Sequence, residues 1–189
     1  MSYQKYLGEG VIIGMSEWGE SGRVLKVLTR DGIRSLVATG VRELKSKMRS
    51  EIDVLTKVEF EYVEGKDVAR LVGIFPKEKL LNLRDKYVLE NILQIRNVIS
   101  NVTNFTLRVV VGETPNDNLY ESFLEGLARV QSGFLPEIEI VWLIKILVSL
   151  GYWEEGLNDK FEDENFKYVA AHKKELIEKI NKSIESSHM

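Results

Sequence analysis

The hydrophobic period of the chain changes near Pro76, and this change limits the possible folds more than any other feature of the sequence. Before Pro76, Val58, Phe60 and Tyr62 alternate with charged residues at period 2, which is typical of a strand with one buried face. After Pro76, apolar residues recur at intervals of three, four or seven, as they do on one face of a helix. The sequence therefore predicts a β-rich first part and a helical second part.

The first part contains five strand-like runs. They are Val11–Met15, Arg23–Thr29, Ile33–Thr39, the alternating run around Phe60, and Val68–Phe75. The pair Asp31-Gly32 between the second and third runs predicts a hairpin. Five short antiparallel strands that bury one face and remove their edges favour a small closed barrel such as an OB-fold, with an SH3-like barrel as the nearest competitor. We therefore predict that residues 1–76 form an OB-fold barrel.

The second part, residues 77–189, is predicted to be an all-α helical domain. One face of its first helix carries Leu81, Val88, Ile92, Ile95 and Ile99. The segment Asn104–Val111 either continues or breaks this helix, and Asn118 with Glu121 predicts a capping box for the next one. Pro136 opens a nearly wholly apolar helix that ends at Leu150. A last amphipathic helix is marked by Leu176, Ile177, Ile180 and Ile184.

The residue types exclude several kinds of catalytic site. The chain has no cysteine and two histidines, His172 and His188, so it has no thiolate nucleophile, no disulfide and little material for a histidine triad or zinc site. It contains no Gly-x-x-x-x-Gly-Lys-Ser and no Gly-x-Ser-x-Gly motif. One acidic cluster could bind a hard cation, but it lacks the spacing of a calcium-binding loop. It consists of Asp159, Glu162, Asp163 and Glu164. We predict no enzymatic activity, no metal and no cofactor.

The apolar runs are too short for a membrane protein. The longest one, Ile138–Leu150, contains Glu139 and Lys145, whereas a spanning helix needs ~20 apolar residues. The apolar stretch near the N-terminus is too short for a signal peptide, and the lack of cysteine fits a reducing compartment. We therefore expect a cytoplasmic protein with no membrane partner.

Positive charge is concentrated in the first part of the chain. Residues 1–80 carry 14 Lys and Arg against 12 Asp and Glu, whereas residues 81–189 carry 12 against 17. Between residues 23 and 49 only Asp31 and Glu43 oppose eight basic residues. Such a cluster binds phosphate backbones through charge and counterion release, and Trp18, Tyr62 or Phe75 could add base stacking. Alternatively, the cluster is solvated surface, since the net charge of −3 opposes tight nonspecific binding by the whole chain.

Five segments of the first 80 residues occur in the order and spacing of a known family. They are Gly10–Ile13, Trp18–Arg23, Leu28–Gly32, Gly40–Lys47 and the alternating strand to Tyr62 and Gly65. In these segments the chain resembles the RecO family of bacterial DNA-repair proteins. In the second part, Leu147–Tyr152 is similar to a family helix that ends in Leu-Leu-Gly-Tyr. Gly22 departs from the pattern, because the family usually has Asp there. The chain also lacks the four-Cys zinc site that many members carry after the position of Tyr152.

The resemblance implies an OB-fold followed by helices and a role as a mediator of DNA repair and homologous recombination. RecO proteins bind single- and double-stranded DNA and anneal complementary strands. They contact the acidic C-terminal tail of the single-strand DNA-binding protein, join RecR and help RecA load onto coated DNA, without hydrolysing nucleotides. A bacterial nucleoid-associated location would follow.

The candidate DNA-binding residues are Arg23, Lys26, Arg34, Arg42, Lys45, Lys47 and Arg49. Of these, Arg42, Lys45 and Lys47 match the family's basic segment most directly. A site for the acidic tail would need an apolar pocket rimmed by cations, and the sparse cations of the helical part are Arg108, Arg129 and Lys145.

Two other classes of function stay open at the level of the sequence. One is a protein–protein adaptor whose barrel has little affinity for DNA, which the missing zinc module and the negative net charge favour. The other is an RNA-binding OB-fold protein, which a preference for RNA over DNA of equal length would indicate.

Overall fold

The computed structural model describes residues 4–43, 46–66, 68–110, 112–133, 137–153 and 163–187. The chain divides into two compact units. Residues 1–81 and 112–115 form the barrel unit, and residues 82–111 and 116–189 form the helical unit. The domain boundary between residues 76 and 77 stays a prediction; the last strand of the barrel runs through it.

The barrel unit contains five strands in its described residues. They are β1 (Lys5–Trp18), β2 (Gly22–Thr29), β3 (Gly32–Ala38), β4 (Thr56–Val63) and β5 (Ala69–Lys79), with a short 3-10 helix, Lys47–Ser50, before β4. The strands follow the closed order β1-β2-β3-β5-β4, in which only the β3–β5 pairing is parallel. Such closure leaves no strand edge unpaired along the order. The predicted five-stranded OB-fold followed by helices is confirmed.

Strand β1 is longer than the predicted run Val11–Met15, because it begins at Lys5 and continues through Gly8 and Gly10. A Cβ atom on Gly8 would lie 2.4 Å from the Phe60 ring, and one on Gly10 would lie 2.4 Å from the Leu28 carbonyl oxygen. Neighbouring groups therefore approach β1 too closely for a side chain. With its full length, β1 pairs with both β2 and β4.

The core of the barrel follows the alternation seen in the sequence. Val58, Phe60 and Tyr62 point inward and are 0%, 1% and 7% exposed. The buried residues of this core are Ile12, Leu25, Val27, Leu36, Ala38, Val41, Ile52, Val58, Phe60, Tyr62, Leu71 and Ile74. Because successive side chains of a strand point to opposite sides, these core positions also identify which residues face outward.

The described helices of the helical unit are α1 (Lys86–Glu90), α2 (Ile92–Val109), α3 (Asp117–Ser132), α4 (Ile138–Ser149) and α5 (Asp163–Ser187). The segment from Asn104 continues α2 as far as Val109, which decides between the two alternatives left open above. Helix α4 is buried on nearly all sides and contacts α2, α3 and α5. Within the described ranges, no helix is both long and apolar enough to cross a membrane.

The predicted cap of α3 is wrong by two residues. Asn116, not Asn118, is the N-cap, and its side chain accepts a hydrogen bond from the Leu119 amide at 2.9 Å. Other predictions lie outside the described residues. These concern Pro136, Asp159, Glu162, His188 and the segment after Trp153 where many relatives hold zinc.

Candidate nucleic-acid interface

The outer face of β2, β3 and β5 presents two cations. Leu25, Val27 and Leu36 enter the core, so Lys26 and Ser35 face outward from β2 and β3. Arg70 precedes the inward Leu71 and therefore faces outward from β5. Lys26 is opposite Ser35, and Arg70 is beside Val37, so the two cations stand roughly 12 Å apart by strand spacing. We call this surface, defined by Lys26, Ser35 and Arg70, the β2–β3–β5 face; the side chain of Val37 between them is 3% exposed.

No carboxylate of the described residues pairs with the cations of this face. The Lys26 amine donates to the Ser35 hydroxyl at 2.7 Å, and Arg70 is exposed. Lys66, in the connection between β4 and β5, is also exposed and has no ion pair within the described ranges. OB-folds bind oligonucleotides on the face of strands 2 and 3 and on the β4–β5 connection. These cations, which no described carboxylate pairs with, thus lie where OB-folds bind phosphate chains.

A second group of predicted residues meets at the β1–β2 turn. Arg23 faces inward at the start of β2, where its guanidinium lies 3.9 Å from the Met15 sulfur. Arg42 pairs with Glu17 at 3.1 Å and donates its backbone N–H to Ser21. Trp18, at the end of β1, is 46% exposed beside them. Two arginines and an indole therefore share one end of the barrel.

Arg34 lies near the opposite end of the barrel. It faces Val27 in the register, four residues along β2 from Arg23, a separation of about 13 Å. Its guanidinium pairs with Glu64 and Glu113 and lies 4.4 Å from the Tyr62 ring centroid. The Arg34 side chain is only 17% exposed. Of the predicted cations with described side chains, Arg34 is thus the one that two carboxylates occupy.

The structure leaves the other three predicted residues without a described side chain. Lys45 lies outside the described residues. The backbone of Lys47 and Arg49 forms the 3-10 helix Lys47–Ser50, but their side chains are not described. Their contact with DNA stays a prediction, as it does for the four placed residues.

The three aromatic candidates have different environments. Trp18 and Phe75 are 46% and 50% exposed, so a base could stack on either ring. Tyr62 is 7% exposed, and its ring stacks on Tyr6 with centroids 5.4 Å apart. Burial raises the pKa of the Tyr62 hydroxyl, and the nearby Arg34 charge opposes that rise. Tyr62 therefore belongs to the core and offers no free ring face for a base.

Arg70 and Lys66 are candidate residues that the sequence did not single out. Both lie beyond the basic window 23–49. The inward Leu71 next to it indicates that Arg70 faces outward, but nothing in the sequence shows the parallel β3–β5 pairing that brings it beside β3. Assigning an inward and an outward face to each predicted strand would have shown that Arg70 faces outward, but not that it lies beside β3.

The helical unit contains an apolar groove between α4 and α5. The groove has a volume of about 280 Å³ and is lined by Glu139, Ile140, Leu143, Lys173, Ile177, Ile180 and Asn181. Ile177 is 41% exposed, and Lys173 is an exposed cation at the rim. The Glu139 carboxylate accepts a hydrogen bond from the Asn101 amide at 3.0 Å. The groove thus combines apolar walls with one cation, and we call it the α4–α5 groove.

The three cations proposed from the sequence do not lie in this groove. Lys145 is 5% exposed and lines another cavity, of about 370 Å³, together with Glu121 and Glu125. Arg129 lies over the Phe166 ring at 5.3 Å from its centroid. Arg108 is exposed at the end of α2. An acidic ligand would meet two carboxylates beside Lys145, so that cavity is the poorer match for such a ligand.

No set of three or more histidine, aspartate or glutamate side chains in the described part of the chain is arranged to hold a metal ion. The groups that remain for recognition are cations, exposed aromatic rings and the apolar groove.

The described residues form a closed OB-fold barrel with a cationic face that none of their carboxylates pairs with, followed by helices, and this defines a class of two-part OB-fold proteins. Residues 1–75 match the family model for the N-terminal region of recombination protein O. The chain is 26% identical over 149 residues to DNA repair protein RecO of Dehalococcoides mccartyi (strain CBDB1) and 28% identical over 151 residues to that of Rubrobacter xylanophilus. It is 24% identical over 156 residues to the protein of the same name in Thermodesulfovibrio yellowstonii. The N-terminal part of the chain is therefore similar to the RecO family.

The three alignments cover 78%, 78% and 81% of this chain but 56%, 58% and 60% of those relatives. The chain therefore spans a little over half the length of the curated relatives that it matches.

Proposed function

We propose that the protein acts in DNA repair and homologous recombination by binding single- and double-stranded DNA on the β2–β3–β5 face. The observation that carries the proposal is the pair of outward cations, Lys26 and Arg70, which have no carboxylate partner among the described residues. Similarity to the RecO family supports the same role, because the matched relatives are named DNA repair proteins. The barrel carries the excess of positive charge, which favours DNA on this unit.

The same charges account for strand annealing. Each cation that contacts a phosphate releases condensed counterions, so binding needs no particular base sequence and weakens steeply with salt. Neutralising the phosphates of two strands lowers their mutual repulsion, and complementary bases can then pair. Trp18, with Arg23 and Arg42 beside it, extends the surface and provides a stacking platform at the β1–β2 turn.

The binding test is fluorescence anisotropy with a mixed-sequence single-stranded oligonucleotide over a salt series. Replacing both cations by glutamine, in Lys26→Gln/Arg70→Gln, removes two phosphate contacts. We expect roughly tenfold weaker binding, and a slope of log affinity against log salt that is shallower by ~1.4. The loss should be the same for different sequences.

The matched control is Lys57→Gln/Lys77→Gln. It removes the same charge from the barrel, but these lysines pair with Glu9 and Glu59 at 2.9 and 2.8 Å. An equal loss in both double variants would overturn the assignment to the β2–β3–β5 face. An RNA oligonucleotide of equal length in parallel decides between DNA and RNA. No binding of either, even at low salt, would leave the adaptor function as the better account.

We propose further that the α4–α5 groove binds the acidic C-terminal tail of the single-strand DNA-binding protein. Ile140, Leu143 and Ile177 would receive apolar side chains of the tail, and Lys173 would meet its carboxylates. Binding to RecR and assistance to RecA on coated DNA complete the proposed role, and these two parts rest on the resemblance to the RecO family alone.

A further inference from the structure

Two connections of the barrel unit each hold the guanidinium of Arg34 with one carboxylate. Its Nη1 lies 3.0 Å from Glu64, in the connection between β4 and β5. Its Nη2 pairs with Glu113, in the connection between α2 and α3. The Tyr62 ring covers one side of the guanidinium, with 4.4 Å to the ring centroid. Arg34 therefore presents its planar donors to two acids that come from distant parts of the sequence.

Carboxylate and phosphate oxygens bind a guanidinium with the same forked geometry. Glu64 and Glu113 thus occupy Arg34 as a phosphate would. Their side chains are 54% and 40% exposed, so water and salt reach both of them. Ion pairs with such exposed partners are weak and screened, and a polyanion can compete for the arginine.

Arg34 lies on β3 beside the surface on which we place DNA, but its side chain points to the opposite side of the sheet, like that of its register partner Val27. The outward Ser35 that follows it bonds to Lys26 on the β2–β3–β5 face, whereas Arg34 reaches Glu64 in the β4–β5 connection. Glu64 shares its connection with the exposed Lys66. A phosphate chain that leaves this face and passes over the β4–β5 connection would meet Arg34 and its two acids.

We propose that Arg34 is a phosphate-binding residue that Glu64 and Glu113 occupy in the free protein, and that a backbone phosphate of the bound nucleic acid displaces them. This inference rests on the proposed function, since it requires nucleic acid on the barrel. It adds that two carboxylates block the contact of Arg34 with phosphate in the free protein, and that their displacement changes the connection that contains Glu113.

The consequence concerns residues 112–115, which join α2 to α3 and pack on the barrel. They are held there by the Arg34–Glu113 pair and by a hydrogen bond of 3.4 Å from the Ile33 amide to the Gly112 carbonyl. Gly32, with φ of 98°, allows this approach, because a Cβ there would lie 2.9 Å from the Gly112 oxygen. Displacing Glu113 removes the ionic tie and loosens this connection.

The test compares the affinity of variants of the 189-residue chain for a single-stranded oligonucleotide over a salt series. The double variant Glu64→Gln/Glu113→Gln removes both carboxylates that pair with Arg34 and so unmasks it. We expect roughly fivefold tighter binding and a salt slope steeper by ~0.7, the value for one added phosphate contact on a single strand. The control Glu9→Gln/Glu59→Gln removes the same charge from acids that pair with Lys57 and Lys77, and its gain should be smaller.

Adding Arg34→Gln to the unmasked variant should abolish the gain. A gain that persists without Arg34, or that equals the gain of the control, would overturn the proposal. The failure of the proposed function has a different signature, namely that the wild-type protein does not bind, or that Lys26→Gln/Arg70→Gln binds as well as the wild type.

Hydrogen exchange tests the loosened connection in the wild-type protein. We expect faster exchange in the peptide that contains residues 112–115 when the oligonucleotide is bound. Unchanged or slower exchange there, while the β2–β3–β5 face becomes protected, would contradict the displacement of Glu113.

Discussion

At the scale of single residues, Gly126 shows how a missing side chain sets the packing of the helical unit. Gly126 lies inside α3 and is buried against Trp142 of α4, which is 0% exposed. A Cβ atom at Gly126 would lie 2.2 Å from Cε2 of that indole. The indole also packs on Phe123, with ring centroids 5.4 Å apart. The glycine therefore permits close approach of two helices and has no role in a turn.

We predict that Gly126→Ala destabilises the protein. Alanine favours the helix by about 1 kcal/mol, but overpacking a buried contact typically costs about 1–3 kcal/mol, and the approach at Gly126 is closer than any normal contact. The net loss should be about 1–2 kcal/mol in urea unfolding. Gly133→Ala is the control, because a Cβ there meets no atom within 4 Å. An unchanged or raised midpoint for Gly126→Ala would contradict the prediction.

The residues of the candidate site were predictable only in part. The sequence identifies Arg23, Lys26 and Arg34 as cations on predicted strands, since local patterns define strands. It does not show that Arg34 is masked, because Glu113 is 79 positions away in the chain. Arg70 was missed for a related reason: its place beside β3 depends on a parallel pairing between strands that no local pattern reveals.

At the scale of elements, the start of α3 depends on one side chain with two bonds. The Asn116 side-chain oxygen accepts from the Leu119 amide at 2.9 Å, and its amide nitrogen donates to the Ser149 carbonyl at 2.8 Å. The first bond caps α3, and the second satisfies a carbonyl at the end of α4. Asn116 thus connects the beginning of one helix to the end of the next.

We predict that Asn116→Ala lowers the free energy of unfolding by about 2 kcal/mol, since it removes a cap and leaves the Ser149 carbonyl without this donor. Asn116→Asp should have an intermediate effect, because it keeps the acceptor and loses the donor. Asn118→Ala should have little effect, as Asn118 is exposed and does not cap the helix. Thermal or urea unfolding measures all three variants, and a larger loss for Asn118→Ala would favour the capping box predicted from the sequence.

The misplaced cap shows where prediction of the elements fails. Asn118 and Glu121 have the spacing of a capping box, and Asn116 has no such local pattern. Asn116 acts as the cap while its amide group binds Ser149, a contact 33 positions away. The existence of the five strands and of the helices followed from hydrophobic period. Their exact ends did not, since these depend on tertiary contacts.

At the scale of the whole molecule, the two parts of the chain carry net charges of opposite sign, and these favour different ligands. Residues 1–80 carry a small excess of basic residues, and residues 81–189 carry an excess of acids. A phosphate chain is attracted by the first and repelled by the second. The α4–α5 groove differs from its acidic surroundings because Lys173 stands at its rim and Asn101 binds Glu139. DNA binding and tail binding should therefore depend on separate sets of residues.

We predict that each proposed activity can be removed without the other. Lys173→Glu/Ile177→Ser changes two exposed residues of the groove. It should weaken binding of a labelled peptide from the acidic tail at least ~10-fold, because the cation and an apolar wall are lost together, and it should leave oligonucleotide affinity unchanged. Lys26→Gln/Arg70→Gln should weaken oligonucleotide binding and leave peptide binding unchanged.

The control for charge alone is Lys174→Glu, which changes an exposed residue of α5 outside the groove lining. Peptide binding that falls equally in the control would show general repulsion by the acidic unit, and a groove variant that also loses DNA would contradict the division between the two units.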